Sequence, residues 1–395
     1  MRTLELDEHM PLRLPPGQLS DDEGAIILRD FDSRISIEFP TRKTAGQWVL
    51  CAEGWVGRFP VTPDLHLSVR PKVTIGNIFR MLEYAYNLKE LEFPGLADVG
   101  ELDDLFSRLA LVLARRTLAR VRRGLHAAYV PLNDELGYLR GTLDTRAWIR
   151  RPWRVQLPCG FEEHTRDIDD NRILAWTFWR ILRGRWASAD AVPTIRRAYQ
   201  ALAHTVTVEP VSAGACVKRL YTRLTSDYEP LHALCRFFLE HSGPAHTRGE
   251  RRTLPFLLDM PRLFELFVAE WLQAHLPAPY FIEAQENVVI GEADDLRFKI
   301  DLVLYRQGQA TPLAVLDTKY KKPGKPSEAD ISQVIAYAEA KGCSDAVLVY
   351  PSVLTPDRSV IVGNKRIQTI VFDLAGDLQV GGSRFVAGLL RGHTA

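Results

Sequence analysis

The sequence predicts a multidomain fold of mixed α+β and α/β character. A β-rich N-terminal module is expected over 1–75, a helical middle region with a projecting β-hairpin finger over 76–250, and a C-terminal domain with a mixed sheet flanked by helices over 251–395. Three observations predict it. Before residue 75 the apolar residues alternate or come in short bursts, the pattern of strands. From 77 to 125, and again from 161 to 245, they recur at helical spacing. Between 280 and 350 the order reads strand, strand, strand, helix, strand.

In the first block the runs GAIILRD, RISIEF, QWVLCAEGW and LHLSV are separated by Pro, Gly and Asp turns, so a small barrel or sandwich is expected. The helices NIFRMLEYAYNL and DDLFSRLALVLARRTLARVRRGL follow, the second with Leu111, Leu118, Val121 and Leu125 on one side and Asp103 and Asp104 in its first turn. Its other side carries Arg115, Arg116, Arg120, Arg122 and Arg123, which is either a solvated basic face or a contact for phosphate or a partner. HAAYVPLNDELGYLRGTLD offers two extended runs around a polar NDELG tip, a finger at about 126–141. Glu162, Glu163, Asp167, Asp169 and Asp170 suggest a metal at first sight. They end at the start of NRILAWTFWRIL, where acids cap a helix and complement its dipole. His164, His204, His232, His241 and His246 show no ligand spacing.

Composition sets outer limits. The 395 residues are 46% hydrophobic and 25% charged, average for a globular protein, so disordered and collagenous classes are excluded. Fifty Lys+Arg against 49 Asp+Glu give a net charge of +1, so nucleic acid cannot be held by the overall field and any contact must be local. Five scattered cysteines without a CxxC pair fit a reduced cytoplasmic setting. MRTLELDEHM is no signal-peptide start, and no window approaches ~18 uninterrupted apolar residues, so no membrane association is expected.

The chemistry concentrates in 280–350. Asp301 lies in a strand with apolar flanks, and Asp317 and Lys319, two apart, project on one face at the end of the next strand. The 16-residue offset between the two acids is a strand, a turn at Gln307-Gly308-Gln309 and a strand back, which brings both carboxylates to one end of adjacent strands. Two carboxylates, with the Thr318 carbonyl as a further oxygen ligand, suit Mg²⁺ or Mn²⁺. Phosphodiester cleavage needs such an ion to activate water and neutralise the phosphate, and a lysine beside it to orient the nucleophile or offset charge. Glu265, at the edge of the apolar face of PRLFELFVAEWLQ, either looks into the same site or pairs with an arginine. After a basic loop with Lys321, Lys322 and Lys325, Ser327 and Asp330 form a capping box. In the helix they begin, Ile331, Val334, Ile335 and Ala338 make the core stripe. Gln333 and Tyr337 share another face, which lines the active groove or is plain surface; the lysines and Tyr337 are the candidate nucleic-acid contacts.

This constellation resembles the PD-(D/E)xK nuclease superfamily, with Ile300 where the name-giving proline would stand. Within it the chain resembles the McrC nuclease subunit of McrBC-type, modified-cytosine-dependent restriction systems, from about residue 72 to 373. PKVTIGNIFRMLEYAYNL, ARVRRGLHAAYVPLNDELGYLRGTLD, FEEHTRDIDDNRIL, LLDMPRLFELFVAEWL, KIDLVLY, LAVLDTKYKK and DISQVIAYAEAKGCSDAVLVYP carry the likeness. The resemblance implies a restriction-endonuclease-like C-terminal domain, with Asp301, Asp317 and Lys319 at the metal-binding and catalytic positions and Glu265 and Gln333 as weaker candidates. It also implies double-stranded DNA as substrate and a McrB-like AAA+ GTPase as partner, a hexameric ring stimulated by a finger in its pore. Asn133, Asp134, Glu135 and Arg140 fall on the matching stretch. The chain has no G-x-x-x-x-G-K-[ST] loop of its own, in keeping with a separate motor. Residues 1–71 lie outside the likeness. A degenerate nuclease fold that only activates the motor, or a nuclease acting on RNA or single strands, remain competing expectations.

Overall fold

The alternating N-terminal sequence forms β1 (Arg2–Asp7), β2 (Leu12–Leu14), β3 (Ile35–Glu38), β4 (Trp48–Ala52), β5 (Trp55–Pro60) and β6 (Leu65–Arg70). The computed structural model describes residues 2–62, 64–88, 101–241, 256–290, 296–309, 311–321, 326–352 and 359–391. One expected strand is not a strand. GAIILRD lies in α1 (Asp21–Phe31), because Ser20 accepts from the Glu23 amide while the Glu23 carboxylate accepts from the Ser20 amide. That capping box, with acids filling the first turn, outweighs the β preference of Ile26 and Ile27. β2, β4 and β3 form one antiparallel sheet, and β1, β6 and β5 the greater part of a second. Next comes α2 (Ile75–Ala85), capped by Thr74.

Residues 103–254 form a compact unit of their own. It holds α3 (Leu102–Arg123), β7 (Ala128–Leu136), β8 (Thr142–Leu143), α4 (Thr145–Arg150), β9 (Leu157–Thr165), α5 (Asp169–Gly184), α6 (Val192–Ala203) and α7 (Glu229–His241). The buried stripe of α3 is Leu105, Phe106, Leu109, Leu113 and Thr117, whereas the expected Leu111, Leu118, Val121 and Leu125 are half-buried. The finger is built differently from the expected hairpin. The NDEL residues lie inside β7, whose partner is β9, with Asn133 opposite Gly160 and Glu135 opposite Pro158. The turn signal at Asn133-Asp134 is overridden by nine consecutive pairings with a strand that arrives after α4. β8 joins the other edge of β9, and there the chain needs glycine: Gly141 has φ +68°, and a Cβ on it would lie 2.4 Å from the Gly160 carbonyl oxygen. Residues 161–165, expected at the start of a helical block, instead belong to β9, which bears Glu162 and Glu163.

The remaining elements are β10 (Phe256–Asp259), α8 (Met260–His275), β11 (Tyr280–Ile290), β12 (Leu296–Arg306), β13 (Ala314–Thr318), α9 (Glu328–Lys341), β14 (Asp345–Tyr350), β15 (Ser359–Val362), β16 (Lys365–Val371) and α10 (Leu378–Leu390). β10 pairs with β5, so the first and last blocks share a sheet and make one unit, 1–102 with 255–395, instead of two separate domains. The expected strand order over 280–350 is present. It belongs to a six-stranded mixed sheet, β11-β12-β13-β14-β16-β15, in which β13, β14 and β16 run parallel. Parallel neighbours need a crossover, and α9 supplies it between β13 and β14. α9 opens on the expected Ser327–Asp330 capping box and closes on Gly342 at φ +67°. Ile300, Val303, Val315, Val334, Ala346 and Leu348 form the core between helix and sheet.

Candidate functional site

Register places the acids. β12 and β13 pair Leu302 with Leu316 and Val303 with Val315, so the same register carried one residue further sets Asp301 opposite Asp317. On the other edge of β12, Ala284 faces Leu302 and Glu286 faces Ile300, which sets Gln285 opposite Asp301. Gln285, Asp301 and Asp317 thus form a row across three neighbouring strands. Lys319 follows β13, two residues past Asp317 and on its side; its Nζ lies 2.6 Å from Asp317 Oδ2 and donates to Gln333 Oε1 at 3.0 Å. Gln333 Nε2 in turn donates to the Tyr337 hydroxyl at 2.7 Å. Asp301 Oδ2 accepts from the Thr318 amide at 2.9 Å and its hydroxyl at 3.0 Å.

Both acids sit where charge is disfavoured. Burial pushes the Asp317 carboxyl up to about 6 against the pull of the Lys319 ammonium, and the nearby Asp301 charge adds to the rise. Burial likewise raises Asp301, opposed by the Thr318 amide and reinforced by Glu265. Asp317 Oδ2 is buried and, despite Lys319 at 2.6 Å, meets no hydrogen bond of good geometry. Two desolvated carboxylates with an undersupplied oxygen are a donor set that a hard divalent cation fits. Among the described residues no three Asp, Glu, His or Cys side chains converge as a metal cluster, so Asp301 and Asp317 would need a carbonyl, water or substrate oxygen beside them. Mg²⁺ commonly binds in that way, through one or two carboxylates and several other oxygens.

The other expected residues divide. Glu265 Oε1 accepts from Arg262 Nη1 at 2.9 Å, the arginine pairing foreseen, and also from Gln285, so it borders the row of acids through an intermediary. Lys321 is exposed and pairs with Asp330 at 2.7 Å; Lys322 and Lys325 lie outside the described residues. Tyr337 turns its ring away from solvent and its hydroxyl toward the acids. Its ring is buried in the core cluster, because a helix covering a parallel sheet buries more than a narrow stripe, and only its hydroxyl reaches Gln333. On the ribbon Glu135 pairs with Arg154, Arg140 stacks over the Phe161 ring at 3.9 Å, and Asp134 accepts from the Glu135 amide, while Asn133 approaches Gly160. The large exposed apolar residues here are Tyr129 and Leu132 on β7 and Tyr138, Leu139, Trp148, Ile149, Trp153 and Val155 in the segment between β7 and β9.

Two groups escaped sequence reasoning. Gln285 has φ +56° inside β11, a left-handed conformation in a strand, and no sequence pattern announces it. Glu8, buried in the N-terminal block, accepts from the Tyr320 hydroxyl at 3.1 Å and from the Lys72 amide at 3.1 Å. The Lys72 ammonium lies 3.9 Å from the centre of the Tyr320 ring and donates to the Lys321 carbonyl at 3.1 Å. The N-terminal block thereby fixes the backbone immediately after Lys319. The only hint in the sequence was the aromatic that follows Asp317-Thr318-Lys319.

A family model described as McrBC 5-methylcytosine restriction system component matches residues 50–351. The chain belongs to that family. Among solved structures it is similar to a chain of the refined half-complex from the tetradecameric assembly of Thermococcus gammatolerans McrB AAA+ hexamers with bound McrC. That likeness covers 99% of this chain and 100% of the other, at 20% identity and a TM-score of 0.57. It shows a shared fold. The cryo-EM structure of the Thermococcus gammatolerans McrBC complex matches over 69% of this chain and 87% of that chain, at 22% identity and a TM-score of 0.41. No curated protein is detectably similar. Among the described residues no helix is long and apolar enough to cross a membrane.

Proposed function

We propose that the chain is the DNA-cutting subunit of a McrBC-like restriction complex, a Mg²⁺-dependent endonuclease of the PD-(D/E)xK type. Its partner would be a McrB-like AAA+ GTPase that delivers DNA, with modified cytosine marking the target. One observation carries the reading: Asp301, Asp317 and Lys319 meet at the ends of adjoining strands, with Gln333 on Lys319. In this reading Asp301 and Asp317, with the Thr318 carbonyl, hold the cation, which supplies an activated water and charge neutralisation at the phosphate. Lys319 offsets charge on the attacked phosphorus, and Gln333 fixes the direction of its ammonium. Thr318 orients the Asp301 carboxylate through two hydrogen bonds, and Arg262 and Gln285 hold Glu265 at the margin. The ribbon of β7 and β9 is the motor contact. The segment joining the two strands exposes Trp148, Ile149, Trp153 and Val155, apolar surface of the kind that interfaces use.

The test is cleavage of modified duplex DNA with partner, GTP and Mg²⁺. Asp317→Ala or Lys319→Ala should abolish cutting and leave complex formation intact; full cutting by both variants would end the assignment. A second reading, an adaptor that stimulates the motor without cutting, draws on the Lys319 ammonium standing 2.6 Å from Asp317, where a cation would otherwise be. GTP hydrolysis stimulated by the wild type without any strand breakage would favour it.

A further inference from the structure

At the root of the β7–β9 ribbon lies a cleft of about 800 Å³, lined entirely by residues of the second unit. The last turn of α3 supplies Arg120 and Arg123, the end of β9 supplies His164 and Arg166, and His126 and His204 face the same space. No aspartate or glutamate is among its lining residues. Asp227, outside the lining, pairs with Arg120 at 3.2 Å and Arg123 at 3.0 Å, one carboxylate against two guanidiniums. Arg166 makes no ion pair among the described residues. The C-terminal carbonyls of α3 contribute roughly half a negative charge, which reduces the positive excess without cancelling it.

Arg120 is also held from behind, with its guanidinium 4.9 Å from the centre of the Tyr228 ring. Its direction is therefore set before any ligand arrives. The cleft volume falls in the upper part of the range, about 300–1,000 Å³, that ligand sites occupy, more than a lone inorganic anion needs. Guanidiniums in this density match phosphate oxygens in geometry and charge. Beside the cleft the exposed Tyr129 ring lies 5.0 Å from that of His164 and tilted 41° to it, an aromatic ring open to solvent of the kind on which a nucleobase stacks. Phosphate recognition next to a stacking platform describes a nucleotide chain.

We propose that this cleft binds the phosphodiester backbone of a nucleic-acid strand, a contact separate from Asp301 and Asp317. It rests on the reading that the chain acts on DNA, and binding measured without divalent cation separates the failure of one from the failure of the other. The experiment is fluorescence anisotropy of a labelled oligonucleotide with the full chain at several salt concentrations. Replacing Arg123 and Arg166 together by Gln should weaken binding about tenfold at low salt and flatten the slope of log affinity against log salt by about one to two units. Replacing both by Lys should restore most of the affinity. Arg196→Gln with Arg197→Gln, two exposed arginines of α6, removes the same charge elsewhere in the unit and should change affinity less than about twofold. Equal losses in the two pairs would reduce the effect to net charge and overturn the site, as would a wild-type chain that binds no oligonucleotide. Displacement by GTP at lower phosphate concentration than by unlabelled oligonucleotide would reassign the cleft to free nucleotide.

Discussion

Asp167, in the helical unit, and Asp317, in the six-stranded sheet, are both aspartates within 2.7 Å of a basic nitrogen, yet their acidities diverge. Asp167 receives Arg172 Nε at 2.7 Å, the Thr207 amide at 2.9 Å and the Thr207 hydroxyl at 2.7 Å. The Arg172 bond leads in holding its carboxyl down at about 2, with Thr207 assisting. Asp317 is buried with one ammonium at poor angle and an acid opposite, and stands at about 6. The difference teaches that a charged partner does not by itself separate a structural acid from a functional one. The supply of hydrogen-bond donors does: the structural carboxylate is saturated, and the other keeps an unmet demand for positive charge.

The largest effect would come from removing each acid in a cleavage assay. Asp317→Ala should lower the rate by at least about a hundredfold, as loss of groups that stabilise developing charge does, whereas Asp167→Ala should cut normally once folded. Comparable losses in both would break the contrast. Stability should respond in the opposite sense. Asp167 has a folded pKa below its unfolded one, so it contributes stability above about pH 4 that is lost as pH falls toward 2, on the order of 2 kcal/mol. Urea melts should show that loss for wild type and little of it for Asp167→Asn.

Asp317 has its folded pKa raised, so without metal its contribution is favourable below about pH 4 and is lost as pH rises through about 6. Asp317→Asn should therefore melt higher than wild type at pH 7.5 in EDTA, by several degrees if the deficit is about 2 kcal/mol. Millimolar Mg²⁺ or Mn²⁺ should raise the wild-type melting temperature and leave the Asn variant unmoved. An equal Mg²⁺ response in both proteins would sink the metal assignment for Asp317 even if activity were never measured.

The strand order over 280–350 was legible because buried strands and a capped crossover helix carry local signatures. The facing of Asp301 and Asp317 followed from loop length. What failed depended on partners distant in sequence. The finger residues point to a local hairpin, but β7 pairs with a strand separated from it by 20 intervening residues, and nothing near Asn133 encodes that choice. β10 completes a sheet begun some two hundred residues earlier, so a boundary read from composition separated what hydrogen bonding joins. α1 is the converse case: the Ser20-x-x-Glu23 signal is present in the sequence, and the cap prevails over the β-branched residues that follow it.

Gln285 gives the smallest and most discriminating comparison, since it stands in the same row as the two acids and contributes through its backbone as well as its side chain. At φ +56° a residue with a Cβ is strained by about 1 kcal/mol relative to glycine. Its amide donates to Glu265, which faces Asp301 electrostatically. Gln285→Ala keeps the strain and loses the bond; Gln285→Gly loses both. If the conformation is strained, the Gly variant should be more stable than the Ala variant by about 1 kcal/mol in denaturant melts. If the side chain positions Glu265, whose charge acts on Asp301, both should lose cleavage alike, by roughly tenfold, the lower end of what outer-shell changes cost. Equal stability of the two would mean that the sheet, and not a strained residue, sets this bend, and unchanged cleavage in both would confine the working row to Asp301 and Asp317.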